Sequence, residues 1–254
     1  MTQSAVSLQN CSFSYGNQPV WTDLSVDIPE NQFSVILGRN GSGKSTLLRV
    51  MAGLLKPSSG TALVHGKNPD DLSGSERAGH IGFLPQFHRA VFPFSVRDVI
   101  LTGRAGRSGF LPTEKDHEIS EAALHQTGIF HLADKPYTQL SGGEQQLVMA
   151  TRILAQQPAV IFLDEPTSHL DLYYQSALLS TLKSLSKDQF TMIAVLHDPN
   201  LAFRFGDEFF FLRKGKLVKP ESGQESWDAD FLSGIFDTPL ETIPFEGKAF
   251  VVHR

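Results

Sequence analysis

Apolar and polar residues alternate through the first thirty positions. Val20, Leu24, Val26 and Ile28 recur at even spacing, and Val6 and Leu8 do the same ahead of Cys11, Phe13 and Tyr15. A period of two marks strands with one buried face, so antiparallel strands are predicted here. The change of parity between Leu8 and Cys11 predicts a β-bulge. An unbroken apolar run follows at 33–37, then a glycine-rich turn. Leu47, Leu48, Met51, Leu54 and Leu55 then keep helical spacing, predicting a helix over 45–55 that Lys56-Pro57 ends.

A strand at 81–84 runs into Pro85-Gln86, and 87–157 reads as helical. Within that stretch Ser95 and Thr113 each precede an aspartate by three positions, and Ser141-Gly-Gly-Glu144 has the full capping-box form. Pro158 stops the last of these helices. Two more apolar strands, 160–163 and 191–196, flank a helix over 173–186, and 209–218 reads as a hairpin turning at Lys214-Gly215. The tail from Trp227 carries one short helix and a last strand at 249–252. Buried strands alternating with helices indicate an α/β chain with a mostly parallel core sheet. The expected organisation is one domain. Residues 1–86 and 158–220 form the core and an antiparallel β subdomain, 87–157 an inserted helical subdomain, and 221–254 a tail of unassigned role.

Composition narrows the function classes. The 254 residues are 41% apolar and 19% charged, enough for a core without disulfide or metal staples. Lys and Arg total 22 against 27 Asp and Glu, a net charge of −5 with no long basic run, which argues against binding nucleic acid by phosphate neutralisation. The lone Cys11 forms no internal disulfide and suits a reducing compartment. The N-terminal residues show no signal-peptide pattern, and no window of 18 apolar residues exists. Any membrane role is therefore expected to run through a partner. His65, His80, His88, His117, His125 and His131 are scattered without metal-ligand spacing and read as surface or structural residues.

The chemistry lies in a few short strings. Gly38-Arg-Asn40-Gly41-Ser42-Gly43-Lys44-Ser45-Thr46 matches G-x-x-x-x-G-K-[ST] between a strand and a helix. Its glycines let backbone N–H groups close around phosphate oxygens, Lys44 reaches the β/γ-phosphates, and Ser45 suits Mg²⁺. The strand at 160–163 ends in Asp164-Glu165, a carboxylate suited to supporting a metal followed by one facing an attacking water. His197 ends the next apolar strand, where it reads either as a structural histidine or as a γ-phosphate contact. Tyr15 is either an ordinary β-surface aromatic or a platform for a base. Ser141, Gly142, Gly143 and Glu144 open a second helix suited to anions. That string is either a plain capped helix or half of a composite site across a dimer.

Taken in order, these strings resemble the nucleotide-binding subunit of an ATP-binding cassette transporter, a P-loop NTPase cassette, over roughly residues 5–220. The resemblance comprises an aromatic A-loop (Tyr15), Walker A (38–46), a Q-loop (Gln86), a signature (140–145), Walker B (161–164, with Glu165), a D-loop (Ser168-His-Leu-Asp171) and a switch histidine (His197). It implies that Tyr15 stacks on adenine, that Gln86 contacts Mg²⁺ and the water, and that Glu165 polarises that water. It also implies that Ser141 and Gly143 hold the γ-phosphate of ATP bound to a partner subunit, that Asp171 crosses the dimer interface, and that His197 senses the γ-phosphate. ATP and Mg²⁺ are the implied cofactors. The implied partners are a second cassette, integral-membrane permease subunits and, indirectly, a solute-binding protein. The implied place is the cytoplasmic face of the cell membrane.

The segment Val96-Arg-Asp-Val-Ile-Leu-Thr-Gly-Arg104 resembles importers for iron-siderophore, haem, cobalamin and some molybdate. A molybdate-type importer and a small-solute exporter remain the alternatives. Pro199, where leucine is commoner, departs from the pattern and is expected at the first position of a helix capped by Asp198. A non-transport cassette ATPase is disfavoured by the missing coiled coil and second cassette. A P-loop GTPase is disfavoured by the missing Asn-Lys-x-Asp string.

Overall fold

The computed structural model describes residues 4–86, 93–109, 111–168, 170–186, 190–220, 225–245 and 248–254. Residues 87–92, with His88, and His169 of the Ser168–Asp171 string lie outside them.

The alternating N-terminal segments form β1 (Ser4–Tyr15) and β2 (Gln18–Pro29), paired antiparallel. The register shifts between Leu8 and Cys11, where the bulge was expected, with Asn10 at φ 49°. The parity of β2 differs from the prediction. Asp23, at φ 51°, breaks the alternation, so Trp21 is buried while Val20 is not. The apolar run is β3 (Phe33–Leu37), and the glycine-rich turn leads into α1 (Lys44–Met51). This helix stops four residues short of the predicted end. Gly53, at φ 64°, closes a Schellman motif in which Leu54 N–H donates to Arg49 O at 2.8 Å and Gly53 N–H to Val50 O at 3.0 Å.

Two elements without a sequence prediction follow, β4 (Ser59–Val64) and α2 (Gly74–His80). Then come β5 (Ile81–Leu84), α3 (Val96–Leu101), α4 (Glu114–Gln126) and α5 (Gly142–Gln156), which begin at the Ser95, Thr113 and Ser141 caps as expected. The chain continues through β6 (Val160–Asp164), α6 (Leu172–Ser186), β7 (Thr191–Val195) and α7 (Pro199–Phe205), the last capped by Asp198 with Pro199 at its first position. A hairpin of β8 (Glu208–Arg213) and β9 (Lys216–Val218) turns at Lys214 and Gly215, both at positive φ. The tail holds α8 (Ala229–Phe236), β10 (Leu240–Phe245) and β11 (Lys248–His253). Of these, β10 was not anticipated.

The six-stranded sheet runs β5-β6-β7-β3-β8-β9, parallel except for the last pair. β1, β2 and β4 form a separate antiparallel sheet, and β10 and β11 a two-stranded ribbon. The central strands are buried on both faces. Ile36, Phe162 and Val195 join a core with α1 and the antiparallel sheet, while Val35, Leu163 and Ala194 join another with α5, α6, α7 and α8. A third core, built from α3, α4 and α5 residues such as Ile100, Leu124 and Val148, belongs to the helical segment. Leu37 is fully buried, and truncating such a residue to alanine costs about 2–5 kcal/mol. Among the described residues, no helix is long and apolar enough to cross a membrane.

Candidate active site

Parallel strands put their carboxyl ends at one edge of the sheet, and loops there collect chemistry. β3 ends in the glycine-rich loop, β5 in Gln86, β6 in Asp164 and Glu165, and β7 in His197. These four strands are neighbours in the order β5-β6-β7-β3. Residues far apart in sequence thus meet around one cavity of about 490 Å³. Tyr15, Val20, Asn40, Gly41, Gly43, Lys44, Ser45, Thr46, Gln86, Glu165 and His197 line it.

The loop is shaped for phosphate. Gly41 and Gly43 sit at φ 78° and 98°, and a Cβ on Gly43 would lie 2.6 Å from Val20 Cγ1. Gly43 brings no capping side chain to α1, which leaves first-turn N–H groups for an anion. Lys44 Nζ donates to the carbonyls of Gly38 at 2.8 Å and Arg39 at 3.0 Å. Burial pushes the Lys44 ammonium below its ordinary pKa, and the nearby charges of Glu165 and Asp164 oppose that shift. Tyr15 is 52% exposed, its Oη 3.4 Å from Thr46 Oγ1 and its ring edge-on to Phe13. Val20 lines the cavity although sequence reasoning gave it no role. Its one signal was strand periodicity.

Glu165 is the most constrained group in the cavity. Its backbone sits at φ 51°, and its N–H donates to Val195 O at 3.2 Å. Gln86 Nε2 and Ser168 Oγ (3.0 Å) donate to its Oε2, and His197 Nε2 lies 2.5 Å from its Oε1. A carboxylate held by three side chains from three loops is pre-oriented, as a general base must be. Asp164 does not line the cavity. It is fully buried, and Oδ2 accepts from Arg49 Nη2 at 3.2 Å. Its Oδ1 has no hydrogen-bond partner among the described residues. An unpaired buried carboxylate oxygen whose charge acts on Lys44 of the phosphate loop is a hard-oxygen donor that fits Mg²⁺.

Other predicted residues lie elsewhere. Gly38 and Ser42 belong to the loop but do not line the cavity, and a Cβ on Gly38 would strike the carbonyl of Leu212. Ser141, Gly142, Gly143 and Glu144 are also absent from its lining. Ser141 N–H and Oγ each donate to Glu144 Oε2 at 2.8 Å, closing the capping box of α5. Gly143 lies against the Tyr174 ring, where a Cβ would clash. Asp171 is exposed and caps α6, its Oδ1 accepting from Tyr174 N–H at 2.9 Å.

The chain is similar to known proteins along most of its length. Residues 21–168 match the family model of the ABC transporter. The ferric enterobactin transport ATP-binding protein of Escherichia coli is 35% identical, the match covering 99% of this chain and 96% of that protein. A solved chain assigned to a metal-chelate type ABC transporter, in an inward-facing conformation, superposes with a TM-score of 0.85 at 30% identity, over 98% of this chain and 97% of the other. A dimeric ATP-binding cassette bound to ADP and phosphate has a TM-score of 0.72 at 30% identity, over 84% of this chain and 97% of that one. The chain belongs to the ABC transporter family, as an ATP-binding subunit whose ATPase activity powers transport.

Proposed function

We propose that this chain powers an importer of iron chelates, hydrolysing ATP in a dimer of two cassettes whose sites are each completed by the other copy. The observation that carries the reading is the Glu165 carboxylate, held by Gln86, Ser168 and His197 beside the phosphate loop. Lys44 and the loop N–H groups hold the β- and γ-phosphates, and Asn40 to Thr46 wrap them. Tyr15 offers its ring to adenine. Mg²⁺, held by Ser45 with Gln86 and supported by Asp164, supplies charge neutralisation at the phosphates when bound. Glu165 takes the proton of a water attacking the γ-phosphate, while His197 and Gln86 keep that carboxylate aimed.

The signature residues stay outside their own chain's cavity. In this reading, Ser141, Gly142, Gly143 and Glu144 of one copy present the α5 N-terminus to the nucleotide of the other. Asp171, exposed at the start of α6, lies in the contact between copies. Residues 1–86 with 158–220 act as the ATPase core and 87–157 as the arm that passes closure to a permease at the cytoplasmic face of the cell membrane. A solute-binding protein delivers cargo to that permease. Cargo class rests on similarity to the ferric enterobactin protein along nearly the whole of both chains.

The test is co-purification with the membrane subunits and ATPase assay in liposomes. Each candidate solute-binding protein is loaded in turn with ferric siderophore, haem, cobalamin or molybdate. Stimulation by the ferric siderophore protein alone supports the reading. Stimulation by another cargo reassigns the substrate, and stimulation by none favours export.

A further inference from the structure

The tail makes two specific contacts with the active-site loops. Asn200, three residues beyond His197 on α7, clamps the backbone of Val251 on β11. Its Nδ2 donates to Val251 O at 3.0 Å and its Oδ1 accepts from Val251 N–H at 2.7 Å. Asp237, in a left-handed conformation at the end of α8, accepts from Arg39 of the phosphate loop at 2.9 Å. The tail is itself anchored, with Leu232 and Ile235 of α8 buried in the core shared with Ala202 and Phe203 of α7. Phe231 packs edge-on to Phe211 at 4.8 Å.

Between these ties lies open space. A cleft of about 580 Å³ separates Arg39 and His197 from Thr238 and His253. Packing of α8 and Val251 against α7 anchors the tail, and across the cleft the Arg39 loop and the start of α7 are tied to it by these polar contacts. The exposed Arg39–Asp237 pair contributes little on its own. The Asn200 clamp differs, because two hydrogen bonds to the N–H and C=O of one residue fix orientation as well as distance. We propose that the C-terminal ribbon is a brace for the catalytic loops, with Asn200 a positioning residue that holds His197 against Glu165 through α7, and Asp237 a lesser one acting on Arg39. This rests on the role given to His197 above.

The test is a double-mutant cycle on the full chain, with steady-state ATPase as readout. Asn200→Ala is expected to lower kcat about tenfold, since small misplacements near the reacting atoms are costly. KM for ATP should stay within about twofold, because the cavity lining is untouched. On a His197→Ala background the same substitution should change kcat less than about twofold, since residues that act as a unit are not additive. Asn200→Asp, which keeps the acceptor for Val251 N–H and loses the donor, serves if the alanine variant fails to fold, with the same loss expected. An equal loss on both backgrounds overturns the brace. A fully active Asn200→Ala beside a disabled His197→Ala overturns the brace alone. An undiminished His197→Ala overturns the role of His197 itself, and the brace with it.

Discussion

His197 Nε2 and Glu165 Oε1 stand 2.5 Å apart, joining the ends of two neighbouring parallel strands, β7 and β6. The contact leaves Glu165 oriented on both oxygens, because Gln86 and Ser168 hold the other one. Replacing Glu165 with Gln preserves shape and removes the base. Turnover should fall about a hundredfold or more, the usual contribution of a positioned base, with ATP affinity little changed. Single-turnover kinetics and equilibrium nucleotide binding check both halves. Near wild-type turnover contradicts the role.

Tyr15 presents more than half of its surface at the mouth of the phosphate cavity. Stacking of a base on an aromatic ring contributes about 1–3 kcal/mol. Tyr15→Ala should therefore weaken ATP binding by about tenfold with little change in kcat, and Tyr15→Trp should retain affinity. Titration with a fluorescent nucleotide measures this, and an unchanged affinity for the alanine variant rules out stacking.

Gly143 lies against the Tyr174 ring, so a methyl group there displaces either the ring or the start of α5. Gly143→Ala should cut ATPase activity strongly, and adding Tyr174→Ala should recover part of it by opening space. If the second substitution recovers nothing, crowding against Tyr174 is not why glycine is needed.

Much of this was legible from local chemistry. The caps Ser95, Thr113 and Ser141 announced α3, α4 and α5 because the residue three positions on answers each of them. The central strands were plain because both faces are buried. What escaped reading lacked a periodic signal. α2 has no buried residue, so it shows no apolar stripe, although Ser73 and Glu76 do form a capping box. β10 carries Pro244 and exposes Ile243 and Phe245, which disguises it as loop. The end of α1 was set by Gly53 rather than Pro57. In the site, the strings holding Tyr15, Lys44, Gln86, Glu165 and His197 were visible in the sequence, and the fold brings these five residues to one cavity. The tail's contacts were invisible because Asn200–Val251 and Arg39–Asp237 span 51 and 198 residues of sequence.

Glu144 links that helix start to pH. The N–H and hydroxyl of Ser141 hold its carboxyl below the ordinary value of 4.5. A depressed carboxyl stabilises the fold fully above its unfolded pKa, and that contribution disappears as pH falls through the depressed value. Glu144→Gln should thus lose less Tm than wild type on acidification from pH about 7 to about 3. Ser141→Ala should cost about 1 kcal/mol at neutral pH as a lost cap. Thermal melts across that range decide it, and parallel curves for wild type and Glu144→Gln contradict it.

The most direct test of the two-copy site is the specific ATPase activity of the purified chain measured against its own concentration. A site completed by Ser141 and Gly143 of a second copy predicts that activity per molecule rises with concentration in the dilute range. It then levels off as dimers saturate, and a tenfold dilution restores the lower value. Constant activity per molecule from the most dilute sample upward, in a chain that stays monomeric with ATP bound, would contradict it.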